Sequence, residues 1–292
     1  MSRNGEQEPD ELSESRASEL GLGEDEKRKI DELGRAKAIV IHEVIRLEGE
    51  HELQRPSLAL AFSGLAAGLS MGFSLVAEGL IYSALPDEAW RTLIASFGYT
   101  IGFLIVILGR QELFTEKTLT PILPLFNELT AQRFGRVIRL WAIVLASNLI
   151  GGLIFAAIIG YSEIFSEDVR QGFAEIARKE MQGGFGNLIL RGIFAGWLIA
   201  LLTWLLPSVP NSRLSIIIII TYLVKLAGLA HIIAGSIAVF YLIISQAITW
   251  GEYFGEFAIA TLLGNVIGGV SFVAALNYGQ IAPQNKHGKN HR

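Results

Sequence analysis

The chain has 292 residues, of which 51% are hydrophobic and 18% are charged, and its mean hydropathy is +0.44. A soluble domain usually carries about 25% charged residues, so this composition favours a protein embedded in a lipid bilayer. The formal net charge of −4 argues against a nucleic-acid-binding protein, and the absence of cysteine excludes disulfides, thiolate metal sites and cysteine nucleophiles.

The N-terminal 56 residues differ from the rest of the chain because they are dense in charged side chains. Residues 1–25 contain few large apolar side chains, which predicts a disordered segment. From about residue 26 to residue 53, apolar residues recur at roughly helical spacing, which predicts an amphipathic helix along the membrane surface or against the helix bundle. Pro56 disfavours helical backbone at Arg55, so we expect this helix to end there.

Six apolar segments follow, and together they predict a transmembrane channel domain over residues 57–280. The charge-free run Leu58–Ala77 is long enough to cross a hydrocarbon core of about 30 Å at about 1.5 Å per helical residue. Transmembrane β-strands are excluded because they alternate in pieces of about 10 residues. The predicted fold class is therefore an all-α polytopic membrane protein. We place the segments at Ser57–Leu85, Thr92–Leu108 with a continuation at Leu119–Phe126, Arg136–Tyr161, Gly186–Pro207, Leu214–Leu229 with a continuation at Ile232–Ile248, and Phe257–Tyr278.

The distribution of lysine and arginine predicts the orientation in the membrane. Basic residues are concentrated before the first segment, between the second and third segments, and in the tail at 281–292. Three loops are expected on the opposite side, at 86–91, 162–185 and 249–255. They contain fewer basic residues and more acidic ones. We therefore expect both termini on the cytoplasmic side of the membrane.

Two sequence patterns recur in the same order in the two halves of the chain. A Gly-x-x-Ala-Gly spacing occurs in segments one and four, and Asn-x-x-Gly-Gly occurs in segments three and six. Two matched pairs with three segments per half predict an inverted 3+3 repeat. Small residues allow helices to approach closely, so these positions are expected to pack helices together. They are Gly64, Gly68, Gly192, Gly196, Asn148, Asn265, Gly268 and Gly269.

Segments two and five are counterparts in this repeat, and polar or glycine-containing stretches at 109–117 and 225–231 interrupt them. Paired interruptions predict a binding site near the membrane midplane. We expect each break to aim the positive N-terminus of a half-helix at this site, which would attract anions. His231 lies at the second break, where an ionisable side chain is costly and usually functional. Thr115 lies at the corresponding point of the first break, so we expect the two side chains to hydrogen-bond.

Three other charged residues lie near the ends of the apolar segments. Lys225 has two interpretations: its ammonium extends to the nearer membrane interface, or it adds positive charge near the conduction path. Glu78 and Arg191 are expected to occupy solvated or vestibule positions.

The chain resembles the formate/nitrite transporter family over about residues 56–280. The resemblance rests on Leu113-Phe114-Thr115, on His231 followed by Ile233-Ala234, and on the Asn-x-x-Gly-Gly of segment six, and Gly192 and Ala195 fit the family's fourth helix. It departs from the better-known members at Gly196, Ala230 and Gly235, which identifies a divergent branch.

This resemblance implies a homopentamer of aquaporin-like protomers, each with its own pore and without a cofactor or metal. It also implies that small monovalent anions or their weak acids pass between two apolar constrictions that flank a central histidine and threonine. The residues expected along this pathway are His231, Thr115, Leu113, Phe114, Lys225 and Val224.

Three other function classes compete with this one. An aquaporin-type pore for neutral solutes would carry paired Asn-Pro-Ala boxes, which the sequence lacks. An intramembrane enzyme would need a nucleophile with its base or a metal site, and the sequence has neither cysteine nor a His-Glu-x-x-His motif. We therefore predict that the protein is not an enzyme. A non-transporting membrane scaffold or sensor is the other alternative.

Overall fold

The computed structural model of the chain describes residue 23 and residues 40–276. The chain divides into two compact units, residues 1–43 and residues 44–292. Three predictions fall outside the described residues: disorder at residues 1–25 (apart from Gly23), a helix that begins near residue 26, and a tail at 281–292.

All the regular elements of the described residues are helical, and we number ten helices along the chain. They are α1 (residues 40–54), α2 (Ser57–Ala84), α3 (Arg91–Leu108), α4 (Ile122–Asn127), α5 (Ala131–Tyr161), α6 (Glu167–Glu180), α7 (Gly184–Leu205), α8 (Arg213–Leu226), α9 (Ile232–Ile244) and α10, which begins at Trp250–Glu252, passes through a π-helical stretch at Tyr253–Ala258 and continues as Ile259–Leu276.

Among the described residues, α2, α3, α5, α7 with the turn that follows it, and α10 are long and apolar enough to cross a membrane. Helices α8 and α9 have 14 and 13 residues. At about 1.5 Å per residue, each covers only about 20 Å and is too short to cross alone. The structure therefore shows five complete candidate spans and one apolar segment broken in two.

Two of the predicted loops are wrong, because each contains helix. The loop expected at 162–185 holds α6, which buries Val169, Phe173 and Ile176 on one face. Its many charged residues concealed an apolar stripe at helical spacing. The loop expected at 249–255 is the start of α10, where the Thr249 side chain accepts from the Glu252 amide and the Glu252 carboxylate accepts from the Thr249 amide. This Thr-x-x-Glu capping box is a signature visible in the sequence.

Glycines bring α2 against α5 and α7 against α10 in the same way. At four positions an added Cβ would overlap a backbone carbonyl oxygen of the facing helix, which no side-chain rotation can relieve. Three of the four, Gly68, Gly196 and Gly268, are positions where the sequence predicts close helix packing. The overlaps are Gly68 with Asn148, Gly151 with Leu65, Gly196 with Asn265, and Gly268 with Ile193.

Candidate functional site

The first break follows α3, and one asparagine of α5 holds it in place. The chain leaves the helix after Leu108 and returns to it only in a 3₁₀ turn at Glu116–Thr118 and in α4. Asn148 lies opposite this stretch and is fully buried. Its Nδ2 donates to the carbonyl oxygens of Gly64 and Glu112 at 2.8 Å each, and its Oδ1 accepts from the Phe114 amide at 2.9 Å. The asparagine therefore satisfies backbone groups that the break removes from a helix.

The second break follows α8, and an asparagine of α10 holds it in the same way. Residues 227–231 are not helical, and Gly228 has a φ of 63°, a left-handed conformation that glycine adopts without strain. Asn265 Nδ2 donates to the carbonyl oxygens of Gly192 at 2.9 Å and Ala230 at 2.8 Å. Its Oδ1 accepts from the Ile232 amide at 2.9 Å. Each break is thus tied to its own half of the chain by one buried amide.

His231 and Thr115 meet where the two breaks approach each other. Thr115 Oγ1 lies 2.8 Å from His231 Nε2, as the sequence analysis expected, and the two residues are 0% and 1% exposed. His231 also begins α9, because its Nδ1 accepts from the Ala234 amide at 3.2 Å. Since Nδ1 is occupied as an acceptor, this pattern assigns the proton of the neutral ring to Nε2, which then donates to Thr115. The Phe103 ring packs edge-on against the imidazole, with centroids 5.1 Å apart.

Only one of the two half-helices expected at this site begins there. His231 is the N-cap of the 13-residue helix α9. Thr115 precedes only the short 3₁₀ turn, and α4 begins later, at Ile122, and has six residues. The expectation of two equivalent half-helices aimed at one point is therefore wrong, because the polar stretch after Thr115 forms a tight turn instead.

The apolar residues expected along the pathway are buried. Leu113 and Val224 are 0% exposed and Phe114 is 1% exposed. The Phe114 ring packs edge-on against Trp141, with centroids 6.1 Å apart. Within the described part of the chain, no group of three His, Asp or Glu side chains is arranged to hold a metal ion.

The interpretation that the Lys225 ammonium extends to the membrane interface is wrong, because the ammonium is paired within the protein. Nζ lies 2.6 Å from Glu180 Oε1 and 3.1 Å from Glu78 Oε1. The expected solvated position of Glu78 is wrong, since the residue is 4% exposed. Arg191, expected near solvent, donates to the backbone carbonyls of Gly228 and Gln182.

A second buried ionic cluster, which no pattern in the sequence predicted, lies between α1 and the first break. The Lys117 ammonium pairs with Glu52 and lies 3.0 Å from Glu112, which also pairs with Arg55. Thr120 donates to Glu52 at 2.7 Å. Burial raises the pKa of Glu52, and the Lys117 ammonium acts in the opposite direction. This cluster lines a cavity of about 410 Å³ that reaches Lys117, two residues after Thr115.

The sequence matches the family described as "Formate/nitrite transporter" over residues 39–279. The chain belongs to the formate/nitrite transporter family. Inner membrane protein YfdC of Escherichia coli (strain K12) is 39% identical over 246 residues, which cover 84% of this chain and 79% of that protein. Formate channel FocA of Haemophilus influenzae is 30% identical over 111 residues, 37% of this chain and 38% of that protein.

Two solved structures share the fold. A pentameric formate channel with formate bound aligns with a TM-score of 0.65 and 17% identity, covering 76% of this chain and 96% of that one. A formate/nitrite transporter family ion channel aligns with a TM-score of 0.67 and 20% identity, covering 84% of this chain and 97% of that one. The predicted family and the all-helical membrane fold are confirmed. As a member of the formate/nitrite transporter family, the protein belongs to a class that moves solutes across membranes rather than one that catalyses reactions.

Proposed function

We propose that this protein conducts small monovalent anions, or their weak acids, across a bacterial inner membrane. The observation that supports this most is the buried contact between His231 and Thr115 at the meeting point of the two breaks. The names of its relatives support the same function, since they include formate channels and an inner membrane protein.

We also propose a six-span protomer built as an inverted 3+3 repeat with aquaporin-like topology and both termini in the cytoplasm. Helices α8 and α9 together would form the fifth span. The matching hydrogen bonds of Asn148 and Asn265 support the repeat, because each binds the break of its own half through the same atoms. The distribution of lysine and arginine supports the orientation.

The chemistry of the site suits a solute that crosses as a neutral acid. A bare anion would lose its hydration between buried apolar residues such as Leu113 and Val224, which carries a large free-energy cost. A weak acid avoids most of that cost if it takes up a proton near His231. Because His231 Nδ1 accepts from Ala234, only Nε2 and the hydroxyl of Thr115 are placed to exchange hydrogen bonds with the solute.

Flux measurements on the full-length protein in proteoliposomes test this function. The panel is formate, nitrite, acetate, lactate, hydrosulfide and chloride, with glycerol and potassium as controls. We expect selective uptake of one or more of the weak-acid anions, accompanied by a change of internal pH. Flux of glycerol alone would identify a neutral solute pore, and no flux of any solute would identify a scaffold or sensor; either result overturns the proposal.

The oligomeric state is tested separately. We propose a homopentamer in which each protomer keeps its own pore, since one structural neighbour is a pentameric channel. Mass measurement in lipid nanodiscs should give five copies of the chain. A stable monomer that transports solute would contradict the pentamer and leave the pore assignment intact.

A further inference from the structure

Three charged side chains from three helices form a buried cluster on the α9 side of the site. We call it the acidic triad: Glu78 of α2, Glu180 of α6 and Lys225 of α8. The Lys225 ammonium lies between the two carboxylates, at 3.1 Å from Glu78 and 2.6 Å from Glu180. The three side chains are 5%, 8% and 11% exposed. With both carboxylates ionised, the acidic triad carries one net negative charge.

The acidic triad lies against the first turns of α9, the helix that His231 begins. Glu78, Glu180 and Lys225 line a gap of about 10 Å³ together with Ala234 and Ala238. The second oxygen of the Glu180 carboxylate lies 3.5 Å from the position that a Cβ on Gly235 would occupy. A gap of this size holds about one water molecule, so a solute that passes here has to displace part of the acidic triad.

A line of aromatic rings also connects the acidic triad to the central histidine. The Lys225 ammonium lies 5.3 Å from the centre of the Tyr99 ring. Tyr99 and Phe103 have centroids 5.2 Å apart, and Phe103 packs against His231. The acidic triad and the His231–Thr115 pair are therefore linked through two aromatic side chains.

The excess carboxylate argues against a purely structural role. A buried ammonium needs one carboxylate to compensate its charge, and a second buried carboxylate adds a desolvation penalty. The other titratable groups near the acidic triad are Tyr99 of α3 and Lys179 of α6, while α9 contributes Ala234, Gly235 and Ala238. Buried ionisable groups within a membrane protein commonly mark ion or proton pathways.

We propose that the acidic triad is a proton-operated selectivity site, at which protonation of either carboxylate frees the Lys225 ammonium to bind a small monovalent anion. While both carboxylates are ionised, they occupy the ammonium and their net charge repels an anion. When one carboxylate takes a proton, the acidic triad is neutral and one N–H of the ammonium can turn to the anion. One proton and one anion then enter together, and the carboxylate is restored when that proton leaves. This inference rests on the proposed function.

Two single variants test this site in the full-length protein reconstituted in proteoliposomes. Glu78→Gln and Glu180→Gln each remove one negative charge and keep the shape of the side chain. Each also leaves Lys225 one carboxylate, so the buried ammonium stays paired. We expect either variant to raise the initial rate of formate uptake at neutral pH by about tenfold, the effect expected of one unit charge removed near the path. The dependence of the uptake rate on pH, measured from about pH 5 to about pH 8, should flatten.

A matched control and a double variant separate selectivity from stability. Glu175→Gln changes the same residue type on the same helix, but Glu175 accepts from Tyr82 at 2.8 Å and lies outside the acidic triad. Its rate of formate uptake and its pH profile should equal those of the wild type. Lys225→Met combined with Glu180→Gln should lose the gain, because the anion-binding ammonium is absent. Size-exclusion chromatography shows which variants assemble. The test is decided by whichever of Glu78→Gln and Glu180→Gln assembles.

Two negative results are distinguishable. If the wild type transports formate but both Gln variants keep its uptake rate and its pH profile, the acidic triad is structural and this inference is wrong, while the proposed function stands. If the wild type transports none of the anions even at about pH 5, the proposed function fails and the selectivity site fails with it.

Discussion

Asn148 and Asn265 make the same three hydrogen bonds in the two halves of the chain. Each donates from Nδ2 to one carbonyl of the facing helix and to one carbonyl of its break, and each accepts one amide of that break through Oδ1. Both residues are fully buried. The backbone around His231 and Thr115 is therefore held by side chains other than those that we assign to the solute pathway.

Replacing either asparagine by alanine should destabilise the protein. The change leaves two carbonyls and one amide without a buried partner, and each unsatisfied group costs about 1–3 kcal/mol. Thermal unfolding in detergent should show a lower Tm for Asn148→Ala and for Asn265→Ala. Asn211→Ala, at an exposed position between α7 and α8, is the control and should keep the wild-type Tm. An unchanged Tm in Asn265→Ala would show that the breaks are held by other contacts.

His231→Asn should change the pH dependence of weak-acid uptake while the protein still assembles. Asparagine retains hydrogen-bonding capacity at this position but does not titrate. Uptake of a permeant weak acid is measured between about pH 5 and about pH 8, which brackets the ordinary histidine pKa. Thr115→Ala removes the partner of Nε2 and should give a smaller change of the same kind. If His231→Asn keeps both the rate and the pH profile, the histidine only packs the core.

Gly268→Leu should disrupt assembly before it alters selectivity. Even a Cβ at this position overlaps the carbonyl of Ile193, so α7 and α10 would have to separate. We expect a loss of monodisperse protein on size-exclusion chromatography. Gly135→Ala is the matched control on α5, since nothing lies within 4 Å of its Cβ position. Because alanine is the better helix former by about 0.5–1 kcal/mol, this control should keep or raise the Tm.

Thr249→Ala should weaken the start of α10. The change removes the hydroxyl that accepts from the Glu252 amide and so opens the capping box. Loss of an N-cap costs about 0.5–2 kcal/mol, which thermal unfolding in detergent detects as a lower Tm. Thr249→Ser keeps the hydroxyl and should retain most of the wild-type Tm. Equal losses in the two variants would mean that the methyl group, not the cap, matters here.

The sequence predicted the breaks well because their cause is local. Polar residues or a glycine within an apolar run disfavour continuous helix, and the two interruptions are visible at 109–117 and 225–231. The pairing of His231 with Thr115 followed from placing those breaks in equivalent positions of a repeat. The helix α6 was missed because hydropathy alone does not separate an amphipathic helix from a charged loop.

The ionic clusters were beyond sequence reasoning for a different reason. Glu78, Glu180 and Lys225 come from three helices far apart in the chain, so no spacing pattern links them. Glu78 was interpreted from its place near the end of an apolar segment, which favours a solvated position. The packing of α2, α6 and α8 around one ammonium buries both carboxylates, and only the folded chain shows that packing.

The side chain of Arg191 gives the fold a short mechanical connection. Its guanidinium holds the carbonyl of Gln182, in the turn between α6 and α7, and the carbonyl of Gly228, three residues before His231. The same turn follows Glu180 directly, and the same break follows Lys225. A ligand, a lipid headgroup or a neighbouring subunit that displaced the turn would therefore pull on both the acidic triad and the backbone leading to the histidine. Through Arg191 alone, a contact at the turn between α6 and α7 would change the position of the backbone before His231.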